Sequence, residues 1–588
     1  MASSRSAKPR RIWRKQVFPS ASEHQPIVPI WFFGTAPTDE ASQEAFLAQA
    51  QIAHCPITRQ NAAAWVRLSL PPASGASGAF MSEREIELKL LCEPVELDRI
   101  RQAPSLLKLK QGRATGKHLH SVYFDTKSLA LGDHGFALRL RRAGAACVQT
   151  LKTESGASGG ATGALARDTG EYEVRLPRGA EKPDLNKLPQ ALKARIQKLA
   201  NGDAIGARLV SDIRRTIHNL QTENGDLIEM AFDLGALQAN GGEAQVSEIE
   251  LELKAGSPAS LYRIALDLNE VADLRVGTKS KSERGFALLR PRAPVAVKAE
   301  PLLLDHNAPL EDAYGAVLRH CLVHMTANEA AAVDARLPEG LHQMRVALRR
   351  ARSAFEIFRP VIGGAQADKL AAEAKWLANE LGPARDFDVF VTEIVAPVTP
   401  RGAGFKKLQA LAEEKRAEKW ERALTALRSR RYTRFLLEYG LFLAEQDWRL
   451  KRKAPALARI FAAEALDKRL AKVAKRGRDF EKLEGEARHD LRKQLKKLRY
   501  GLHFFSSLYD AGEVKPYLKH LGEMQDVFGG LNDVATAHLI LDDMPGEGAV
   551  GEAAARVIAW HGERAEKAWK GAIRLWKRFN AVDPFWRV

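Results

Sequence analysis

The sequence predicts an α+β protein of several domains, with an N-terminal antiparallel eight-stranded β tunnel followed by an all-α, internally duplicated helical bundle. Three observations support this fold class. Polar and apolar residues alternate with the period of a strand from about 81 to 292, helical periodicity replaces that pattern from 301 onwards, and one helical segment recurs 147 residues later. The chain has 588 residues, 45% of them hydrophobic, which is enough for a core in each half.

The composition favours a polyanionic partner. The chain carries 90 Lys and Arg residues against 72 Asp and Glu residues, a net charge of +18, and this excess suits nucleic acid, polyphosphate or an anionic surface. The four cysteines are far apart and form no CxxC pair, so we expect a reducing, cytoplasmic environment and neither a disulfide framework nor a zinc site. The sequence has no run of 18 apolar residues, and we expect no membrane span.

Composition and periodicity divide the chain into four segments. Residues 1–80 begin with a basic stretch and a proline-broken apolar run, and are predicted to be a disordered extension, with Met81 as an alternative start. Residues 81–292 are predicted to form the tunnel, 293–300 a proline-bearing linker, and 301–588 the helical domain with two internal repeats.

Eight strands are predicted in the first half, separated by turn signals such as ENGD and by a Gly- and Ser-rich loop. They are EIELKLLC, HLHSVYFDT, FALRLRR, CVQTLKT, GEYEVRL, ARLVSDIRRTIHNL, LIEMAFDLGAL and QVSEIELELK.

Charged residues occupy one face of these strands, in alternation with apolar ones. Such a pattern on a single strand typically marks a solvated face. Carboxylates two residues apart repel each other, however, and carboxylate pairs and arginine pairs occupy different strands here. The positions are Glu85, Glu87, Lys89, Arg139, Arg141, Glu171, Glu173, Arg175, Glu229, Asp233, Glu248, Glu250, Glu252 and Lys254.

Five such strands predict a closed sheet with an acidic wall and a basic wall around a polar lumen. Carboxylates are the ligands of hard divalent cations, and Mg²⁺ usually adds phosphate oxygens to one or two of them. Arg and Lys bind the phosphates themselves. The two walls together therefore suit a metal-bound polyphosphate chain.

The ExExK motif at Glu85, Glu87 and Lys89, the paired arginines, the strand ELELK and the closing KSKSERGF resemble the CYTH domain of the triphosphate tunnel metalloenzymes. The resemblance covers 81–292 and implies a tunnel that binds a triphosphate with Mg²⁺ or Mn²⁺ and hydrolyses its terminal phosphoryl group. It implies catalytic residues Glu85, Glu87 and Lys89, metal ligands Glu85, Glu87, Glu250 and Glu252, and phosphate ligands Lys89, Arg139, Arg141, Lys152 and Arg214.

Some positions stay open within this resemblance. A long glycine-rich stretch precedes Arg167, so the roles of Arg167 and Glu171 are not assigned, and Asp233 is equally open. Tyr123 of VYFDT is expected to be structural.

Basic residues form a duplicated stripe in the helical half. Spacings of three, four and three residues place each stripe on one helix face, beside an apolar stripe that forms core. Residues 341–358 align without gaps on 488–505, and neither stripe contains interleaved acids, which favours an anion-binding surface over a solvated face. The stripes are His342, Arg345, Arg349 and Arg352, and then His489, Arg492, Lys496 and Arg499.

The pattern HxxRVxxRRxR at 342–352, with LGPARDFDV at 381–389, is similar to the CHAD domain, a histidine-rich helical module associated with inorganic polyphosphate. The resemblance spans 301–588. It implies that both stripes bind polyphosphate, and it extends the expected cytoplasmic location to polyphosphate granules.

The second copy departs from this family pattern. Asn532 stands where Arg385 is expected, and Ala535 where Asp388 is expected. Asp386 and Asp388 could bind metal or hold the basic side chains in place, and the second interpretation is preferred. The stripe histidines lack a second nearby histidine, which does not favour a metal site there.

The preferred function is hydrolysis of inorganic triphosphate to pyrophosphate and phosphate, in a tunnel joined to a polyphosphate-binding domain. Adenylate cyclase or thiamine triphosphatase activity in the same tunnel is one alternative, and a non-catalytic polyphosphate-binding scaffold is another. A nucleic-acid-binding protein is not favoured, because both stripes lack aromatic residues for base stacking. The oligomeric state stays open.

Overall fold

The computed structural model describes residues 79–81, 85–144, 146–153, 164–398, 402–448, 450–451, 454–544 and 548–587. The predicted extension over 1–80 lies outside these ranges, except that Ala79 and Phe80 already belong to a strand. Within the described part, every helix is too short or too polar to span a bilayer.

The tunnel half contains ten described strands in one antiparallel sheet, ordered β1-β6-β5-β4-β3-β7-β8-β9-β2-β10. An additional pairing of β6 with β2 closes the eight strands β2–β9 into a barrel, which confirms the predicted tunnel; the short β1 and β10 were not predicted. The strands are β1 Ala79–Met81, β2 Glu85–Leu91, β3 Lys110–Asp125, β4 Phe136–Ala143, β5 Ala146–Thr153, β6 Arg167–Leu176, β7 Gly206–Gln221, β8 Leu227–Ala239, β9 Gly242–Ala255 and β10 Arg275–Gly277.

In the described part of this half, six helices lie between or after the strands. They are α1 Pro94–Arg101, α2 Pro104–Leu109, α3 Ala130–Asp133, α4 Gln190–Ala200, α5 Ala259–Val271 and α6 Lys281–Leu289, with a 3₁₀ turn at Leu185–Lys187. A capping box formed by Ser280 and Glu283 starts α6.

The period of the strands sorts side chains into two environments. On the outside, apolar residues such as Leu88 and Leu251 pack with α1 and α5 in the main core. On the inside, charged residues line the cavity, while a second apolar cluster that includes Leu119 and Ile213 packs against Phe286 of α6. The barrel is therefore polar along its cavity and closed by apolar packing on α6.

The helical half contains eleven described α-helices. They are α7 Leu310–Ala327, α8 Glu329–Val333, α9 Pro338–Phe358, α10 Ala365–Glu380, α11 Gly382–Val389, α12 Ala403–Leu427, α13 Arg430–Glu445, α14 Ala458–Arg476, α15 Gly485–Phe505, α16 Ala511–Asp542 and α17 Gly548–Asn580. Shorter turns lie at Phe390–Val395, Phe480–Lys482, Ser506–Leu508 and Phe585–Arg587.

The internal repeat is visible in the helix bounds. Helices α9 and α15 each have 21 residues and begin 147 residues apart. Helices α7 and α14 begin 148 residues apart, and α12 and α17 begin 145 residues apart. The copies differ where α10 and α11 of the first correspond to the single helix α16 of the second. Pro383 explains the break, because proline lacks the backbone N–H and favours the first turn of a helix, whereas Gly530 takes its place in α16.

Helix α13 of the first copy packs on α5 of the tunnel half. One continuous hydrophobic core runs through this contact, from barrel residues such as Leu88 to bundle residues such as Phe358.

Candidate active site and anion-binding surface

The tunnel encloses a charged cavity of about 720 Å³. Its lining comes from all eight barrel strands and from the start of α6. The ionisable lining residues are Glu85, Glu87, Lys89, Lys117, Tyr123, Arg139, Arg141, Lys152, Arg167, Glu171, Glu173, Arg215, Glu229, Glu250, Glu252, Lys254 and Lys281.

The strand order separates the two signs of charge. The neighbouring strands β5, β4, β3 and β7 supply cations and no carboxylate to the lining, whereas β8, β9, β2 and β6, on the other side, supply all of its glutamates together with Lys89, Arg167 and Lys254. The predicted acidic and basic walls are therefore confirmed. The cations of the basic wall are Lys152, Arg139, Arg141, Lys117 and Arg215.

The ExExK motif lies on β2 with its three charged side chains facing the cavity. Lys89 is 2% exposed, and its ammonium lies 2.5 Å from Glu250, 3.2 Å from Glu248 and 3.9 Å from Glu87. Burial by itself lowers the pKa of this ammonium, but the three carboxylates outweigh burial and raise it. Lys89 is therefore a permanent cation within the acidic wall.

A cage of three carboxylates, Asp233, Glu248 and Glu250, surrounds the ammonium of Lys281. Their oxygen atoms lie within 4.8 Å of one another, an arrangement that could hold a metal ion. The Lys281 ammonium already lies 2.7, 2.5 and 2.8 Å from the three residues, and Arg215 lies 2.6 Å from Asp233. Glu250, which the family resemblance implies as a metal ligand, is thus bound to protein cations here.

A second acidic group, formed by Glu85, Glu229 and Glu252, has fewer counterions. Glu229 and Glu252 are directly opposite each other on β8 and β9. Burial and the charge of Glu85 raise the pKa of Glu252 to about 7, and Glu229 adds to this, while Lys254 only partly offsets it. Burial also raises the pKa of Glu85, although Lys152 lies 2.6 Å away.

The carboxylates of the cage already contact Lys281, Lys89 and Arg215, so the second group would gain more from a divalent cation. Its carboxylates repel one another, and an ion of charge +2 would relieve that repulsion while receiving the oxygen ligands that Mg²⁺ and Mn²⁺ prefer. Glu87 lies directly opposite Glu252 in the sheet register and also faces the cavity. Three of the four implied metal ligands, Glu85, Glu87 and Glu252, are thus brought together.

Glu171 of β6 orders two cations of the basic wall. It lies 3.0 Å from Arg139 and 3.0 Å from Lys152, which are both implied phosphate ligands. Although burial raises the pKa of Glu171, these two cations lower it overall. Glu171, whose role the sequence left open, is therefore a bridge between cations.

Arg141 is less well compensated. Its Nε donates to the Ser121 hydroxyl at 3.3 Å. Burial, together with the charges of the neighbouring Arg139 and Arg215, lowers its pKa to about 10, and Glu171 opposes this only in part. A buried guanidinium in this situation favours an incoming anion.

Tyr123 is 3% exposed and packs edge-on against Phe286 with ring centres 6.4 Å apart. Burial raises its pKa, but the positive charges of Arg139 and Arg141 lower it overall. Its buried position agrees with the expected structural role.

The assignment of Arg214 to the cavity is wrong by one residue. Arg214 is exposed on the outer face of β7, opposite His118 and Leu234, whereas Arg215 lines the cavity. The reason is that Ile213, on the same side as Arg215, points inward and packs in the closed end of the barrel. The expectation that apolar residues face outward fails on this strand.

Three further cavity residues were not identified from the sequence as functional: Lys117, Arg215 and Lys281. Lys281 lies in the quoted motif KSKSERGF, so a signal for it existed. Lys117 and Arg215 are register partners on β3 and β7, and their position depends on the strand pairing.

In the helical half, the two basic stripes meet. We call Arg345, Arg349, Arg492 and Lys496 the basic saddle. Burial, together with the charges of Arg492, Arg349 and Arg345, lowers the pKa of Lys496 to about 7, so cations from both copies share one electrostatic environment. Among the described residues, the Nε atoms of Arg349 and Arg492 are buried without a hydrogen-bond partner.

Two carboxylates border the basic saddle. Asp386 lies 4.0 Å from Arg345, and its pKa is raised by burial and also by the charge of Asp533, its equivalent in the second copy. Asp388 instead accepts hydrogen bonds from Arg416 and Trp420 of α12 at 2.7 and 3.0 Å. It thus holds α12 and not the saddle.

The remaining stripe residues have different surroundings. Burial lowers the pKa of His342 to about 4, with Arg385 contributing, and burial also lowers the pKa of His489, so both imidazoles are neutral at pH 7. Arg499 donates to His503 and Gln525 at 3.2 and 2.8 Å, and Arg352 is half-buried.

Family models match both halves. The CYTH domain model matches residues 83–286 and the CHAD domain model matches residues 316–542. The chain therefore contains a CYTH domain followed by a CHAD domain, as the motifs predicted.

Several proteins are similar to this chain. An uncharacterized protein of Mycobacterium tuberculosis is 27% identical over 480 residues, which is 72% of this chain and 82% of that protein. An inorganic triphosphatase of Haemophilus influenzae is 26% identical over 208 residues, which is 35% of this chain and 55% of that protein. The crystal structure of the CHAD domain from Ricinus communis is 30% identical in sequence, with a TM-score of 0.42. The match covers 47% of this chain and 96% of the chain in that crystal structure.

Proposed function

We propose that the tunnel hydrolyses inorganic triphosphate to pyrophosphate and phosphate with Mg²⁺ or Mn²⁺. One observation carries this proposal: the cavity has an under-compensated cation, Arg141, on one wall and an under-compensated carboxylate, Glu252, on the other. A cavity of this kind favours an anion and a cation together. A triphosphate with a divalent metal supplies both.

The residues would divide the work as follows. Arg139, Arg141 and Lys152 bind phosphate oxygens and orient the chain, and Glu171 keeps two of these cations in place. Glu85, Glu87 and Glu252 would hold the metal, which offsets charge on the phosphate oxygens. Glu229 is the nearby carboxylate left to orient an attacking water.

The choice of inorganic triphosphate is supported by the similarity to an inorganic triphosphatase. A test is phosphate release by the full chain from tripolyphosphate, ATP, thiamine triphosphate and long-chain polyphosphate, each with Mg²⁺, Mn²⁺ or EDTA. We expect tripolyphosphate to have the highest kcat/KM and EDTA to abolish release. Higher kcat/KM for thiamine triphosphate, or formation of cyclic AMP from ATP, would replace the proposed substrate, and no release from any of them would favour a scaffold.

For the helical domain, we propose that the basic saddle binds inorganic polyphosphate. The proposal rests on the buried Nε donors of Arg349 and Arg492, which phosphate oxygens can satisfy, and on the meeting of cations from two copies. Titration of the full chain with long-chain polyphosphate in EDTA, followed by calorimetry, tests it. Absence of binding at low salt would contradict it.

A further inference from the structure

Helix α13 of the helical domain contacts two segments of the tunnel wall. Two ion pairs at the edge of this contact join α13 to α5, with Arg263 2.6 Å from Glu445 and Arg434 2.6 Å from Glu270. Next to these pairs, Tyr262 and Thr433 make two buried contacts that connect α13 to segments of the cavity wall.

Tyr262 of α5 forms the first connection. The residue is 0% exposed, and its ring lies against Gly440 of α13 so closely that a Cβ at Gly440 would be 2.3 Å from the ring. Glycine is therefore required there. The Tyr262 hydroxyl accepts hydrogen bonds from the backbone N–H groups of Ala166 and Leu165, at 2.9 and 3.3 Å. These residues directly precede the cavity residue Arg167.

Thr433 of α13 forms the second connection. Its hydroxyl, which is buried, donates to the carbonyl oxygen of Leu274 at 2.5 Å. Leu274 directly precedes β10, in which Gly277 pairs with Lys89 of the ExExK motif. A Cβ at Gly277 would lie 2.9 Å from the Lys89 side chain, so this backbone is in direct contact with the motif lysine.

The two connected segments also bond to each other. Arg167 donates to the carbonyl oxygen of Thr278 at 3.1 Å and to Glu283 of α6 at 2.8 Å. Helix α13 thus supports the two bonded segments 165–167 and 274–278, which we call the joint. The first segment contains Arg167, and the second pairs with Lys89.

We propose that Tyr262 and Thr433 are positioning residues, through which docking of the CHAD domain sets the placement of Arg167 and Lys89 in the tunnel. The inference rests on the proposed triphosphatase function for its kinetic consequence. The contacts themselves do not depend on that function. The CHAD domain is then a structural part of the tunnel's substrate site.

The test uses the full chain with Tyr262→Phe, which removes the hydroxyl but keeps the ring against Gly440. We expect faster hydrogen exchange in the peptide 164–176, because two amides lose their acceptor. We also expect KM for tripolyphosphate to rise about two- to tenfold, which corresponds to about 0.4–1.4 kcal/mol of substrate binding, with a smaller change in kcat.

A matched control is Tyr439→Phe. Tyr439 of α13 is buried, as Tyr262 of α5 is, and its hydroxyl donates to the carbonyl oxygen of Leu318 within the helical domain at 3.0 Å. It should lose stability similarly without a change in KM. On the second connection, Thr433→Val should raise KM, and Thr433→Ser, which keeps the hydroxyl, should restore it.

The outcomes separate cleanly. An equal rise of KM in Tyr262→Phe and Tyr439→Phe would attribute the effect to general destabilisation and overturn the proposal, as would unchanged exchange in 164–176. Altered exchange with unchanged KM would also overturn the positioning role. A wild-type protein that neither binds nor hydrolyses tripolyphosphate would contradict the proposed function, while the exchange comparison would still decide whether α13 supports this joint.

Discussion

Arg214 and Arg215 are consecutive on β7 and point to opposite sides of the tunnel wall, Arg214 to the outside and Arg215 into the cavity beside Asp233. This pair provides an internal control of residue type. Arg215→Gln should lower kcat/KM for tripolyphosphate about tenfold or more, the cost of a charged hydrogen bond. Arg214→Gln should leave kcat/KM within about twofold.

Arg215→Gln also breaks a buried charge network, so circular dichroism and the melting temperature must accompany the kinetics. Arg215→Lys keeps the charge and should recover part of the activity. Equal losses in Arg214→Gln and Arg215→Gln would mean that the cavity assignment of β7 is incorrect.

The metal assignment predicts a difference between two sets of carboxylates. Glu85→Gln and Glu252→Gln should abolish most turnover, because each removes a proposed ligand. Each should also remove the rise in melting temperature that we expect Mg²⁺ or Mn²⁺ to cause in the wild type. Glu243→Gln, on the exposed β8–β9 hairpin where it bonds Gln238, is the control. A metal-induced stabilisation that survives in Glu85→Gln and Glu252→Gln would place the ion elsewhere.

The saddle assignment predicts site-specific binding of polyphosphate. Arg345→Gln with Arg349→Gln should weaken binding by about tenfold or more, given roughly 1 kcal/mol for each hydrogen bond to phosphate that the substitutions remove. The affinity of the wild type should fall steeply with salt, as for other linear polyanions that release counterions.

The control for net charge is Arg428→Gln with Arg478→Gln, two exposed arginines outside the saddle. Arg430, two residues from Arg428, is not a suitable control position, because its guanidinium forms an ion pair with Asp273 of the tunnel half. If both double variants weaken binding equally, net charge accounts for the affinity and the saddle does not act as a site.

Binding of polyphosphate should also depend on pH through Lys496. Burial, with Arg492, Arg349 and Arg345, lowers its pKa to about 7, and Asp533 opposes this only in part. Lys496 is therefore increasingly neutral above pH 7. Binding of a polyanion at such a pH is accompanied by uptake of a proton by Lys496. Affinity should fall between pH 6 and pH 9, measured by calorimetry in buffers of different ionisation enthalpy.

Lys496→Arg should reduce this dependence, because a guanidinium keeps its charge over the same range. The free energy of unfolding should change with pH in the opposite direction to the affinity for polyphosphate. Since the pKa is lower in the folded protein than in the unfolded chain, Lys496 makes the free energy of unfolding rise with pH between about 7 and 10.5. An affinity that is equal at pH 6 and pH 9 would exclude a role for Lys496.

The sequence was sufficient where local periodicity decides the outcome. The barrel strands, the two walls and the repeated helices follow from periods of two and 3.6 residues, and Glu85, Glu87 and Lys89 face the cavity as alternation predicts. These features depend on neighbours along the chain, which a single sequence contains.

It was insufficient where long-range packing decides. Two adjacent arginines on β7 look alike until the inward packing of Ile213 is known, and Glu250 looks like any carboxylate of the acidic wall until Lys281 approaches from α6. In the same way, no local pattern reveals that Gly440 makes room for Tyr262.

The docking of α13 on α5 has a consequence for synthesis of the chain. Tyr262 emerges from the ribosome about 180 residues before Gly440, which at about 5–20 residues per second corresponds to on the order of 10–40 s. Throughout that interval α13 is not yet available to pack on α5, so the apolar side of α5 is exposed and can be bound by chaperones or by another nascent chain. Translation speed between the two helices, set by codon choice alone, should therefore alter the soluble yield of an unchanged protein.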